Sequence, residues 1–248
     1  MRPILPAFLV LALSGIPLSA PAETAKPSPK IDPAARAIVD SVTARLAPAR
    51  TVCLTAKHKL DPSLGTGGKL DQGPLRITVQ RPNQFHVLQE AGQMTREIAF
   101  DGKTFCLMQP EVKLHGIEPL KASSIDEFAD KADDRFGFRP PVAELLGCDV
   151  SATLFKGADS ARVVGSEIIG WTRCQQVQVL QKGMTTDLWV GTKDHLPHRM
   201  LITFSDLPGQ PKWDIRLSDW KLDVPVDAAL FAKRPAADSF QVKMLRTP

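Results

Sequence analysis

Apolar side chains recur along this chain with two distinct periods. Behind Asp32-Pro33, an acidic N-cap followed by proline at the first helical position, Ala35, Ile38, Val39, Val42 and Leu46 fall at helical spacing and make one apolar face. Pro48 ends that helix. From Thr51 the period drops to two. Val52-Leu54-Ala56, Leu75-Ile77-Val79, Phe85-Val87, Ile98-Phe100 and Phe105-Leu107 alternate with more polar neighbours, the pattern of strands with one buried face. Their separators carry turn chemistry: Gly65 to Gly68, Arg81-Pro82-Asn83, Gly92 and Asp101-Gly102. The Asp-Gly pair predicts a tight hairpin with positive φ at both turn residues.

The alternation stops after His115. Ser124 with Glu127 three residues on is a capping box, and Ile125, Phe128, Ala129, Ala132 and Phe136 line one side of the helix it opens. Pro140-Pro141 starts a short turn with Val142, Leu145 and Leu146, halted by Gly147, and Asp149 caps a third piece carrying Val150 and Leu154. A helical insertion spanning about 118–156 therefore interrupts the strands. They resume at Val163-Val164, Val177-Val179, Leu188-Val190, Met200-Ile202-Phe204 and Trp213-Ile215-Leu217, punctuated by Gly170, Lys182-Gly183 and Pro208-Gly209. The count is about ten or eleven strands with no linker-like stretch, so one β-dominated α+β domain is expected over 32–248. A sheet this wide and apolar on one side must curl and be covered, and the N-terminal helix and the insertion are the cover.

Periodicity tells which face is apolar and not whether it is filled, so a packed core and an open cavity both fit. In the open case the lining is Ile77, Val79, Val87, Ile98, Phe100, Val177, Val179, Leu188, Val190, Met200, Ile202, Phe204, Ile215 and Leu217, under a lid of Ile125, Phe128, Ala132, Phe136 and Leu145. An acyl chain entering such a hollow gains about 0.8 kcal/mol per methylene, or on the order of 10 kcal/mol for a fatty-acid length before ordering costs.

Composition narrows the field. The 248 residues are 43% hydrophobic and 23% charged, which is globular and neither collagen-like, disordered nor polytopic. The formal charge of +4 is spread without a basic block, Tyr is absent and aromatics are 6%, so nucleic acid is not an expected partner. Residues 1–22 read as a secretory signal peptide: Arg2, an apolar run from Ile4 to Leu18, then Ala20-Pro21-Ala22 before Glu23. Residues 23–31 form a polar, proline-bearing lead, expected to be mobile. The run is short and broken by Pro6 and Pro17, against a membrane span, and the exported product is expected in the periplasm. In an oxidising compartment Cys53, Cys106, Cys148 and Cys174 can form two disulfides in any of three pairings. Cys148–Cys174 is favoured because it would tie the insertion to the strand after it.

Candidate chemistry is sparse. Asp194-His195-Leu196-Pro197-His198 offers two imidazoles and a carboxylate, but the histidines flank a proline turn without helical spacing or a third ligand. That reads as a solvated turn, with hydrolytic use the third-ranked function. His58, His86 and His115 are isolated strand residues. Ser123, Ser124 and Ser166 lack a nucleophile elbow, and Asp126, Glu127, Asp130, Asp133 and Asp134 read as a solvated helix face. Trp171, Trp189, Trp213 and Trp220 are expected to anchor packing. No phosphate loop, dinucleotide fingerprint, metal site or cofactor is indicated, and the chain is not expected to be an enzyme.

Several motifs resemble a known fold. Arg81-Pro82-Asn83-Gln84-Phe85, Phe100-Asp101-Gly102-Lys103, Trp189-Val190, Leu196-Pro197, Arg199, and the closing Val224-Pro225, Phe231 and Pro235 are similar to periplasmic proteins of the LolA/LolB-like lipoprotein-carrier fold. With Val164-Gly165, Gly170 and Cys174, the span from about Ala34 to about Met244 looks like a DUF2092-type periplasmic protein. Two positions depart: His86 stands where those carriers usually have Arg, and Gly191 where they have Asp. The resemblance implies an unclosed antiparallel β-barrel with a helical lid over an apolar cavity. It further implies a carrier or binding protein for an acyl chain, lipid or lipoprotein. The alternative is a sensor or interaction module that binds a periplasmic or membrane protein partner through the same fold.

Overall fold

Every strand among the described residues belongs to one sheet, with one α-helix ahead of it and three in the middle of the chain. The computed structural model describes residues 30–65 and 68–245, so the expected signal peptide and nearly all of the lead lie outside the described residues. Helix α1 (Pro33–Leu46) is followed by β1 (Thr51–Leu60), β2 (Leu75–Gln80), β3 (Gln84–Ala91), β4 (Met94–Phe100), β5 (Thr104–Gln109) and β6 (Leu114–Pro119). Helices α2 (Ile125–Phe136), α3 (Ala143–Leu146) and α4 (Val150–Phe155) make up the insertion. Then come β7 (Ala158–Ile169), β8 (Thr172–Gln181), β9 (Met184–Gly191), β10 (Pro197–Phe204), β11 (Lys212–Leu222) and the two-residue β12 (Phe240–Gln241).

The strand order is β12-β6-β5-β4-β3-β2-β1-β11-β10-β9-β8-β7. Two meanders, β1–β6 and β7–β11, therefore meet along β1 and β11, where Val52 pairs with Leu222 and Leu60 with Trp213. Among the described residues all strand pairings are antiparallel except the short β12–β6 contact, and one isolated parallel bridge joins Ile31 to Ala161. The edges do not join among the described residues, which makes the sheet the half-barrel expected. Strands β6 and β12 are additions to the expected set. Gly116 and Pro119 disguise β6, and its His115 is buried through a hydrogen bond to Ser239 Oγ (2.9 Å).

Local signals act as anticipated at the helix starts. Asp32 caps α1 by accepting from the Ala34 N–H at 2.9 Å, and Asp149 caps α4 through the Ala152 N–H at 2.9 Å. Ser124 Oγ accepts from the Glu127 N–H at 3.0 Å, while the Glu127 carboxylate reaches back to the Ser123 N–H. Gly137, at φ +64°, closes α2 with paired bonds to Asp133 and Ala132 carbonyls. The Asp101-Gly102 turn departs from expectation. Gly102 alone has positive φ, and the Asp101 carboxylate instead accepts from the Lys103 and Thr104 N–H groups, giving a longer loop between Phe100 and Phe105.

The four cysteines are unbridged, against the expected disulfides. Strand parity is the reason. Cys174 sits opposite in parity to the inward Val177 and Val179, so it faces the convex side, whereas Cys148 lies in the helical insertion over the concave side. Cys53 and Cys106 are four strands apart, on the order of 19 Å along the sheet and beyond the reach of an S–S bond. Burial pushes the Cys106 and Cys174 thiols up to about 11, keeping them protonated and unreactive.

Candidate functional site: a pocket at one end of the concave face

The helices fill most of the concave side. Helix α1 packs across β7, β8 and β9, burying Ala35, Val39, Val42 and Leu46 against the inward face that carries Val177, Val179 and Leu188. Helix α2 drives Phe128 into the other meander, its ring 4.8 Å from Phe85, 4.2 Å from Phe100 and 5.2 Å from Phe105. Ile77, Val79, Val87, Ile98, Val190, Ile215 and Leu217 are likewise fully buried in this packed region, with Ile125, Ala132 and Leu145 from the insertion. Phe136 is half-buried against Phe105, the ring centres 6.0 Å apart. Most of the inward set is thus core.

One stretch stays open. Beyond the reach of α1, and bordered on the α2 side by Asp126 and Asp130, a pocket of about 470 Å³ lies over the ends of β8–β11. Its sheet wall is Gln181, Met184, Thr186, Met200, Ile202, Phe204 and Trp213, and its helical wall holds Val142, Pro140, Thr153 and Leu154. Asp126, Asp130, Arg139, Glu144 and Lys156 supply its charges. Of the residues expected to line a cavity, the structure brings Met200, Ile202 and Phe204 to the pocket. Gln181, Met184, Thr186 and Trp213 share the parity of expected residues on their own strands and were legible in the same alternation. The charged contributors were not, since Asp126 and Asp130 read as a solvated face. Asp126 is in fact half-buried.

The charges are organised. Arg139 bridges Glu144 (3.0 Å) and Asp130 (3.7 Å), and Lys156 lies 3.8 Å from Asp130. Asp126 stands against Gly147, where an added Cβ would push against its carboxylate. Desolvation and the neighbouring Asp130 raise the Asp126 pKa, despite a backbone hydrogen bond from Cys148. The sign follows from linkage. A carboxyl with a raised folded pKa contributes stability below its ordinary 3.8 that is lost as pH climbs through the folded value. Asp126→Asn should therefore match the wild type in acid and exceed it at neutral pH in urea unfolding. Equal curves at every pH would refute the raised value.

At the pocket's inner end Trp213 donates from Nε1 to His58 Nδ1 (3.0 Å), and the Gln89 amide lies 3.1 Å from His58 Nε2. Burial lowers the His58 pKa and keeps the ring neutral. On the convex side the Asp194 turn is a closed structural unit. Its carboxylate takes His198 Nε2 at 2.9 Å and the Leu196 N–H at 3.1 Å, while His195 is exposed with φ +55°. Also on that side, His86 pairs with Glu97 at 2.7 Å. No group of three or more His, Cys, Asp and Glu side chains among the described residues is disposed to hold a metal ion.

A half-barrel plugged by its own helices and open at one apolar, charge-lipped end defines the class of protein. Residues 35–245 match the family described as "Predicted periplasmic protein (DUF2092)", and the chain belongs to that family. No curated protein matches the chain in sequence. Among solved structures it is similar to the lipoprotein LppX of Mycobacterium tuberculosis (12% identity, TM-score 0.48), covering 79% of this chain and 99% of that one. LprF from Mycobacterium bovis aligns at 16% identity and TM-score 0.47, over 79% and 96% of the two chains. The Pseudomonas aeruginosa MucA/MucB complex aligns at 11% and 0.43, over 84% and 63%. Among the described residues no helix is long and apolar enough to cross a membrane.

Proposed function

We propose that this chain is a periplasmic binding or carrier protein that holds the apolar chain of one amphiphile in the end pocket, with no chemical step. The observation that carries this reading is the pocket itself. Its volume of about 470 Å³ falls in the range of small-molecule sites, with Met184, Met200, Ile202 and Phe204 along one wall and ion pairs near by. Methionine suits such a wall because its thioether adapts to ligands of varied shape. Burying about eight methylenes gains about 6 kcal/mol before association costs, so polar contacts to the ligand's head group must supply the rest of useful affinity.

Ile202→Trp tests this by filling the pocket from its own wall. Protein recovered from the periplasm should release a co-purifying amphiphile in native mass spectrometry and bind the fluorescent fatty acid parinaric acid. The variant should lose at least about tenfold in that binding while melting close to the wild type. Equal binding by the variant moves the site elsewhere, and a wild type that neither carries nor takes up an amphiphile removes the reading.

A further inference from the structure

The hairpin joining β7 to β8 ends in an apolar tip whose Trp171 is, from the sequence alone, expected to anchor packing. Its ladder runs to Ile169 opposite Thr172, leaving Gly170 and Trp171 as the turn, with Gly170 in the left-handed region at φ +60°. The Trp171 side chain is fully exposed at 103%, and Ile168 beside it is exposed at 62%. Trp213 and Trp220, by contrast, each give their indole N–H to a partner. Trp171 anchors nothing within its own fold.

The surroundings select among occupants. A stable protein interface needs roughly 800 Å² per partner around a buried core. The neighbours of this tip, Ser166, Glu167, Arg173 and Gln175, are exposed and polar, and beyond Trp171 and Ile168 the apolar surface is limited to the partly exposed Ile169 and to Val164 lower on the strand. That is too little for such an interface and enough for shallow insertion at a bilayer surface, where an indole finds both its apolar and its polar surroundings. The β7–β8 ladder, unbroken from Gly165–Gln176 to Ile169–Thr172, holds the tip in place, so little order is lost on docking. Charge points the same way. Arg173 adjoins the tip, and the Thr192 N–H bonded to the Arg173 carbonyl (2.9 Å) brings exposed Lys193 to the same end. The nearest acids are Glu167, exposed beside Ile168, and Asp194, engaged by His198, so the two cations at this end face one carboxylate without an ion-pair partner among the described residues. The whole chain carries +4.

We infer that the β7–β8 tip is a shallow anchor for an anionic phospholipid bilayer, with Trp171 and Ile168 at the headgroup boundary and Arg173 and Lys193 against the lipid phosphates. Gln181 and the pocket lie at the opposite end of β8, roughly 30 Å along the strand. Docking at the tip leaves the pocket mouth away from the headgroups, and it holds whatever the pocket contains.

Flotation of the periplasmic protein with phosphatidylethanolamine–phosphatidylglycerol vesicles tests the anchor, with phosphatidylcholine vesicles as the neutral comparison. The wild type should float with the anionic vesicles, and Trp171→Ser should reduce binding by roughly tenfold or more without changing the melting curve. Trp171→Phe, which keeps the tip apolar, should retain most of it, and the double variant Arg173→Glu with Lys193→Glu should lose the preference for anionic vesicles. A wild type that stays out of the vesicle fraction, or a Trp171→Ser protein that floats equally well, overturns the proposal. So does a photocrosslinker at position 171 that captures a single protein in cells while vesicles bind nothing.

Discussion

Phe128→Ala should destabilise the protein by about 4 kcal/mol, the usual cost of emptying a fully buried phenylalanine site. The ring sits inside a triangle of Phe85, Phe100 and Phe105, with centroid distances of 4.2 to 5.2 Å, and each aromatic contact adds to the cost of the lost volume. It is also the deepest attachment of α2 to the sheet, so the vacancy cannot be closed by a small side-chain shift. For a chain of this size the melting temperature should fall by roughly 10 °C. Phe136→Ala, at the half-buried end of the same helix, should cost about 1 kcal/mol and serves as the control. A loss below that control would mean that α2 does not plug the first meander, and the division between core and pocket would have to be redrawn.

Arg81→Met should cost about 3 kcal/mol or more, through polar groups instead of volume. The guanidinium donates from Nη1 to the carbonyls of Leu46 and Ala49, both at 2.7 Å, and from Nη2 to those of Gly147 (2.8 Å) and Leu146 (3.3 Å). Those oxygens close the C-terminal ends of α1 and α3, where a cation is favoured by the helix dipole as well. Methionine keeps the apolar stem and removes every donor. Arg81→Lys should recover only part of the loss, because an ammonium cannot span two helix ends as a planar fork does. The effect should reach the pocket. Gly147 is the residue against which Asp126 is seated, so parinaric acid binding should weaken along with stability. Chemical denaturation of the three proteins decides the first point, and a Lys variant as stable as the wild type would show that charge alone suffices.

These two residues also show what the sequence could and could not disclose. Phe128 was readable, because a capping box followed by apolar positions at helical spacing admits one helix and one buried face. The period-two runs gave ten of the strands for the same reason, and β6 escaped because Gly116 and Pro119 break its alternation. Arg81 was readable as part of a motif and unreadable as a clamp, since its four partners come from segments brought together only by folding. The pocket was half legible. Parity put Met200, Ile202 and Phe204 on the inward face, but whether space remained above them depended on how far α1 and α2 extend. Its charged residues were hidden for a different reason. An acidic helix face that meets solvent and one that meets a cavity have the same spacing, and only the approach of Gly147 to Asp126 tells them apart. An oxidising compartment permits disulfides, but geometry decides whether they form, and here it separates the four thiols. The alternation around Cys53 and Cys174 already places their thiols on the outer side of the sheet.

The seam between β1 and β11 has a consequence for biogenesis. Residues 52 and 222 must meet before the two meanders become one sheet, so most of the chain has to be present before folding can finish, and closure of so long a loop is slow. Until then β1 offers an unsatisfied row of amides and carbonyls in the middle of what will be the interior. If the β11 of another molecule arrives first, the same hydrogen bonds form between chains, and crowded export would yield exchanged dimers joined across that seam.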